Sequence, residues 1–344
     1  MSLKGYPWLS EVVDSLPERL PAALLLHGQK GVGKLLLAQT LSQGLLCTEP
    51  GGVGHPCGHC ESCHLFTVGN HPDFRLLQPA ADAEGEDDVK PDPDKGSKSK
   101  KPSTQISVDA VRDLAGLTSN ASHRGGARVI LVSAAESLHP AAANALLKML
   151  EEPGRDTYFI LVASERNRVL PTIKSRCFQL AVRVPSVEIG TAWLKEQHAG
   201  HAEAALYLAS QAPFAALKLS EDDAFWASRG ALMAGLAEAS ADPLSLAGTA
   251  EKLDPAALGR LLTMWVFDLL ALQQGGDVHY HRDMKSELDR TAGKVDAKDL
   301  CRWSDEVRDF TRAASHPLNR RLALESLFAS WPGSHARVGA SNGR

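Results

Sequence analysis

Four cysteines, Cys47, Cys57, Cys60 and Cys63, fall within a short glycine- and histidine-rich stretch of the 344-residue sequence. Thiolates at this spacing can close tetrahedrally around Zn²⁺, and four sulfurs fill the coordination shell, so the expected site is structural and not catalytic. His55, His59 and His64 stand close by, and the remaining cysteines, Cys177 and Cys301, stand apart. The cluster carries no Lys or Arg, which favours a folded knob for protein contact over a nucleic-acid-binding ribbon.

The second chemical constellation is Gly28-Gln29-Lys30-Gly31-Val32-Gly33-Lys34. Gly28, Gly31 and Gly33 let backbone N–H groups wrap a phosphate, and Lys34 reaches the terminal phosphates from a helix N-terminus. A hydrolytic loop then needs a Ser or Thr hydroxyl for Mg²⁺, but the next residue is Leu35. P-loop ATPases also carry an Asp, often followed by Glu, at the end of a buried strand. The corresponding strand, Arg128 to Val132, ends in Ser133-Ala134, and Glu136 comes too late to replace them. The cradle is kept and the groups for hydrolysis are missing together, so ATP is expected to bind weakly or not at all.

These residues need a scaffold. The apolar run Ala22–Leu26, the glycine loop and an apolar segment from Lys34 to Leu46 read as strand, loop and helix. Further strands are expected at Phe74–Gln78, Arg128–Val132, Tyr158–Ala163 and Cys177–Val182, with helices at Val108–Leu117 and Pro140–Glu152 between them. Near-continuous apolar strands alternating with helices predict a parallel sheet covered on both faces. Residues 79–104 interrupt the pattern, acidic first and basic second with almost no large apolar side chain, and read as a flexible surface loop. After Pro185 the strands stop. Val187–Gln197 and Ala202–Leu219 read as short helices, and long helical periodicity follows at Leu258–Gln273, Ala297–Ala313 and Leu318–Ser330. The expected domains are an α/β domain over 1–184, a small helical domain over 185–219, a helical bundle over 220–334 and a disordered tail over 335–344.

Composition agrees. The chain is 44% hydrophobic and 23% charged with a net charge of −4, a globular balance that argues against a polybasic nucleic-acid coat. The start has no apolar signal segment, and the run Leu261–Leu272 is broken by Asp268, so neither secretion nor a membrane span is expected. The default compartment is the cytoplasm.

Ala143-Asn144-Ala145-Leu146-Leu147-Lys148-Met149-Leu150-Glu151-Glu152-Pro153, followed by Ser175-Arg176-Cys177, closely resembles bacterial clamp-loader subunits of the AAA+ class. The cysteine knob after the phosphate-loop helix fits that family, and Asn319-Arg320-Arg321-Leu322-Ala323-Leu324-Glu325 resembles its collar helix. The resemblance runs from about Tyr6 to Phe328. It implies an AAA+ P-loop-type domain with a zinc-binding insertion, a helical lid and an all-α collar, assembled in a five-subunit ring of the DNA polymerase III clamp loader. The missing metal ligands are those of the family's non-hydrolysing stator. The resemblance further implies that Arg176, with Ser175, points into a neighbour's ATP site as an arginine finger, and that Arg112 approaches the DNA backbone. The implied partners are the ATP-hydrolysing subunits and the delta subunit, the sliding clamp and primed DNA. The competing reading, an active P-loop ATPase subunit, accounts only for the glycines and Lys34.

Overall fold

The computed structural model describes residues 3–17, 19–49, 51–83, 103–118, 126–238, 242–313 and 319–335. Most of the charge-segregated 79–104 segment and the tail beyond 335 lie outside these residues. The segment's flanks are tied, since the Ala81 N–H donates to the Ser103 carbonyl at 3.1 Å. The chain divides into two compact units, 1–185 and 186–344.

The first unit opens with α1 (Pro7–Asp14), then β1 (Ala23–His27), α2 (Lys34–Leu46), α3 (Glu61–Thr67), β2 (Phe74–Leu77) and a single turn, α4 (Ala80–Ala83). It continues through α5 (Val108–Thr118), β3 (Arg128–Val132), α6 (Pro140–Glu151), β4 (Thr157–Ala163), α7 (Pro171–Lys174) and β5 (Phe178–Ala181). All strand pairs are parallel, in the order β2-β3-β4-β1-β5. Side chains alternate across a strand, so each strand serves two faces. Leu25, Ile130, Val132, Phe159 and Leu161 share one core with Val111 and Leu114 of α5 and Leu146 and Leu150 of α6. Helix α2 packs against β1, β3 and β4. This two-sided burial explains the unbroken apolar runs read in the sequence. β5 differs: three of its four residues are exposed, because it is an edge strand with only β1 beside it.

The second unit is helical: α8 (Val187–Glu196), α9 (Ala202–Leu208), α10 (Pro213–Ser220), α11 (Asp223–Ala237), α12 (Pro243–Ala250), α13 (Pro255–Gln273), α14 (Lys285–Ala292), α15 (Ala297–Ala313) and α16 (Arg320–Ala329). The single helix expected over Ala202–Leu219 is two. Ser210 and Gln211 take left-handed backbone, and Pro213 opens α10 because it cannot donate within a continuing helix. Asp222, Asp242, Asp254 and Asn319 cap their helices by accepting from backbone N–H groups, with Pro at the first turn of α12 and α13.

By length and composition α13 could cross a membrane. Its Leu258, Leu261, Leu262, Trp265 and Leu269 are instead buried within this unit. Its fully buried Asp268 accepts backbone N–H bonds from His279, Tyr280 and His281. The residue that interrupts the apolar run therefore anchors the loop after α13.

That loop holds a buried polar cluster. Arg229 donates to both carboxylate oxygens of Asp283, at 2.7 and 2.8 Å, and to His281 Nδ1 at 3.0 Å. His281 Nε2 lies 3.3 Å from the Leu261 carbonyl, so the ring is neutral with its proton on Nε2. Burial and the adjacent guanidinium pull the His281 imidazole down to about 3 from an ordinary 6.5. The unfolded chain thus takes up a proton below pH 6.5 that the folded chain refuses until about pH 3. Stability from this site is present above pH 6.5 and lost as pH falls through that window. Urea midpoints followed by tryptophan fluorescence are expected to drop between pH about 7 and about 5, and His281→Gln is expected to flatten the drop. Five of the six tryptophans lie in this unit, so the signal reports it. Equal pH slopes in the two proteins would count against the assignment.

Candidate functional site

The cysteine knob grows from the end of α2. Cys47 follows its last residue, Cys57 lies in the loop, and Cys60 caps α3, whose first turn carries Cys63. All four Sγ atoms lie within 4.8 Å of one another, with Cys47–Cys60 and Cys57–Cys63 at 3.9 Å. A tetrahedron of Zn–S bonds of about 2.3 Å has sulfur–sulfur edges of roughly 3.8 Å, so the four donors fit a four-coordinate metal. Backbone N–H groups of Cys57, Cys60 and Cys63 point at the sulfurs of Cys47, Cys57 and Cys60, at 3.3 to 3.4 Å. Such donors favour thiolate. Burial pushes the Cys60 thiol up, but hydrogen bonds from Thr48 and the Cys63 backbone outweigh it and bring the group down to about 5.

The supports of this knob were not read from the sequence. His71 Nδ1 accepts from the Asp73 N–H at 3.1 Å, which leaves Nε2 to donate to Ser62 Oγ at 2.8 Å. Ser62 Oγ in turn donates to the carbonyl of Leu46, next to Cys47. Gln43 Nε2 donates to the Cys63 carbonyl at 3.3 Å. Gly44 is required by close approach, since a Cβ there would meet the Gly54 nitrogen at 2.7 Å. A serine, a histidine and a glycine with no motif around them carry little signal in a single sequence.

The phosphate loop is formed. It leaves β1 at its C-terminal end, at the point where β1 lies between β4 and β5, the crevice where open α/β sheets bind ligands. Gly31 and Gly33 have positive φ, and Gly33 is the left-handed N-cap of α2. A Cβ on Gly28 would lie 2.2 Å from the Val182 carbonyl oxygen, so glycine is required there for packing as well. The Trp8 indole donates to the Val32 carbonyl at 2.8 Å and braces the loop. Lys34 is nearly buried and donates to the Gln29 carbonyl at 2.7 Å. Burial pulls its ammonium down to about 8, with Glu136 opposing the shift and Lys30 adding to it.

The positions that would hold a metal are bare. The Leu35 side chain is exposed, and β3 runs out into Ser133 and Ala134. Glu136 sits in a short 3₁₀ turn, where its Oε1 accepts from the Ser164 N–H at 2.9 Å. One oxygen of that carboxylate is thus held at the end of β4, while Oε2 is buried without a hydrogen-bond partner among the described residues.

Arg176 follows the short helix α7 and is partly exposed; its guanidinium pairs with Glu151 at the end of α6. Ser175 Oγ donates to the Thr172 carbonyl at 3.0 Å, and Cys177 is buried behind the turn. Arg112 lies on α5, well exposed and 3.5 Å from Asp109, an ordinary i,i+3 surface pair. The structure thus gathers the four cysteines into one cluster and the glycines with Lys34 into another, and sets Arg176 in a surface turn.

A parallel P-loop sheet with a four-cysteine insertion and helices following defines an AAA+-type chain. Residues 12–186 match the family described as DNA polymerase III, delta subunit, and residues 223–332 match its C-terminal family. DNA polymerase III subunit delta' of Pseudomonas aeruginosa is 31% identical, covering 95% of this chain and 97% of that one. The Yersinia pestis subunit is 36% identical over 96% of each chain, and that of Escherichia coli 34% over 94% of each. The chain belongs to the delta' subunit family of the DNA polymerase III clamp loader.

Proposed function

We propose that this chain is a non-hydrolysing subunit of the clamp loader of the replicative polymerase, acting as a stator in loading the sliding clamp on primed DNA. The observation that carries the reading is the phosphate loop: its cradle and Lys34 are folded, while Leu35, Ser133 and Ala134 occupy the positions that would hold Mg²⁺. An AAA+ chain of this kind contributes to its assembly by contacts and not by its own turnover. Membership of the delta' family supports the same assignment. In this reading the chain works in the cytoplasm, in a five-subunit ring with the ATP-hydrolysing subunits and the delta subunit. The helices over 185–219 form its lid and those over 220–334 its collar. Arg176 serves the neighbour's ATP site, where a guanidinium stabilises charge on the transferring phosphoryl group. Arg112 approaches the DNA backbone. Zn²⁺ fills the four-cysteine site in a structural role, its thiolate shell leaving no position for substrate.

The test is co-purification with the ATP-hydrolysing subunits, followed by their ATPase rate with and without this chain. The isolated chain is expected to show no ATP turnover above a Lys34→Ala control. Leu35→Thr alone is expected to leave it inactive, because metal ligand, acid and base act as a unit. Turnover that Lys34→Ala abolishes would favour the active-ATPase reading.

A further inference from the structure

The turn that carries Arg176 holds its guanidinium against the chain's own surface. Nε donates to Glu151 Oε1 at 2.7 Å, and Nη2 forms a close ion pair with the same oxygen. Nη1 donates to the Thr172 carbonyl at 3.1 Å and reaches Ser175 Oγ at 3.4 Å. A guanidinium has five N–H donors in a fixed fork, so these contacts occupy most of its capacity. Glu151 and Arg176 are 25 residues apart, and the pairing is made by the fold, which sets the end of α6 beside the end of α7.

A phosphoryl group is gripped by two parallel N–H groups of an arginine. The guanidinium has two such edges: the Nε and Nη2 edge faces Glu151, and on the Nη1 and Nη2 edge Nη1 is turned to the Thr172 carbonyl. One edge cannot serve both anions. The pair is also accessible, with the Arg176 side chain 35% exposed and that of Glu151 48%. Ion pairs at such exposure are weak enough to be exchanged for a more highly charged partner.

We propose that Glu151 is a latch on Arg176: its carboxylate occupies a phosphate-binding edge of the guanidinium until a neighbour's nucleotide displaces it. The proposal rests on the reading of Arg176 as a finger for a neighbouring ATP site. The latch adds a condition to that reading. The finger is withheld from a neighbour that presents no phosphate and is surrendered to one that does. Glu151 is a positioning residue here, acting through Arg176 and never on the nucleotide.

The test compares full clamp-loader rings carrying Glu151→Gln, Glu152→Gln or Arg176→Ala in this chain. ATPase is measured without and with DNA and clamp, and the Arg176 Nε–Hε resonance is recorded in the isolated chain. Glu151→Gln keeps shape and removes charge. It is expected to raise the unstimulated turnover of the one site that Arg176 serves about 2- to 5-fold, the range of an exposed ion pair, with a smaller rise in the ring's total rate, and so to narrow the stimulated-to-unstimulated ratio. It is also expected to move the Arg176 resonance and speed its exchange with solvent. Glu152→Gln, the adjacent carboxylate, is expected to do neither. Arg176→Ala is expected to lower the rate. If Glu151→Gln lowers the rate as Arg176→Ala does, Glu151 supports the finger and the latch is overturned. If it changes neither rate nor resonance while Arg176→Ala remains impaired, the latch fails alone and the finger stands. A silent Arg176→Ala overturns both.

Discussion

Cys63→Ser is expected to bring bound zinc from about one atom per chain to a small fraction of that, and to unfold the knob between α2 and β2. Cys63 is the buried member of the set and belongs to the first turn of α3, so its loss removes a ligand and leaves a serine hydroxyl facing three thiols. Structural Zn²⁺ contributes apparent binding free energies of about 10–16 kcal/mol in small zinc-finger peptides. Here the effect on the whole chain is expected to be smaller, because the sheet has a core of its own that does not draw on the knob. The damage should therefore be local. Metal analysis and limited proteolysis check it: the variant should be cut within 47–70 while the sheet persists. His71→Ala is the graded companion. It removes the bond to Ser62 that steadies the carbonyl beside Cys47, and is expected to weaken metal binding by about 10- to 100-fold without abolishing it. Wild-type protein prepared under reducing conditions with no zinc would overturn the assignment of the metal.

How much of this was legible depends on how local the cause is. The cysteine cluster and the glycine loop are short-range patterns whose residue types are dictated by chemistry, and the structure places each of them together. The three inner strands, β1, β3 and β4, were readable for a related reason: strands buried on both faces have few polar positions, so Leu24, Leu25 and Leu26 stand as a run. β5 also falls inside the run Cys177–Val182 read as a strand, although as an edge strand paired only with β1 it leaves Phe178 exposed where the sequence alone suggests a core residue. The break at Ala209–Ala212 was missed because apolar periodicity continues through it, while Pro213 and the left-handed Ser210 and Gln211 decide the geometry. The helper residues Ser62 and His71 were beyond reach, as was the pairing of Glu151 with Arg176. Each acts through a partner brought in by tertiary structure, and no spacing announces it.

Asp268 illustrates the middle case. In the sequence it is the charge that interrupts Leu261–Leu272 and argues against a membrane span. In the structure the same carboxylate is fully buried and satisfied by backbone N–H groups of the following loop. A buried carboxylate costs free energy unless it is hydrogen-bonded, and this one is bonded to the segment that presents His281 to Arg229. The exclusion read from the sequence and the anchor found in the fold have one physical origin, a charge that must be paired wherever it is buried.

On the proposed reading Arg176→Ala is the substitution expected to affect the assembled complex most, since a chain whose phosphate loop lacks its Mg²⁺ ligands would use the guanidinium only at a neighbour's site. Arginine fingers supplied in trans are worth roughly 10³–10⁵ in the rate of the site they serve. In a ring with several ATP sites the others keep their fingers, so total ATPase should fall by about the share of one site. Clamp loading should fall further, because a cycle that needs all sites to fire is limited by the slowest. The side chain is partly exposed and its polar partners among the described residues are Glu151, Thr172 and Ser175, so folding and zinc content should be unchanged. Arg176→Lys should be nearly as poor, because an ammonium offers no planar fork. Arg155 is the control, with a side chain 96% exposed and paired with its neighbour Asp156. Rings carrying Arg155→Ala should match wild type, and rings carrying Arg176→Ala that load clamps at the wild-type rate would reduce Arg176 to a surface charge.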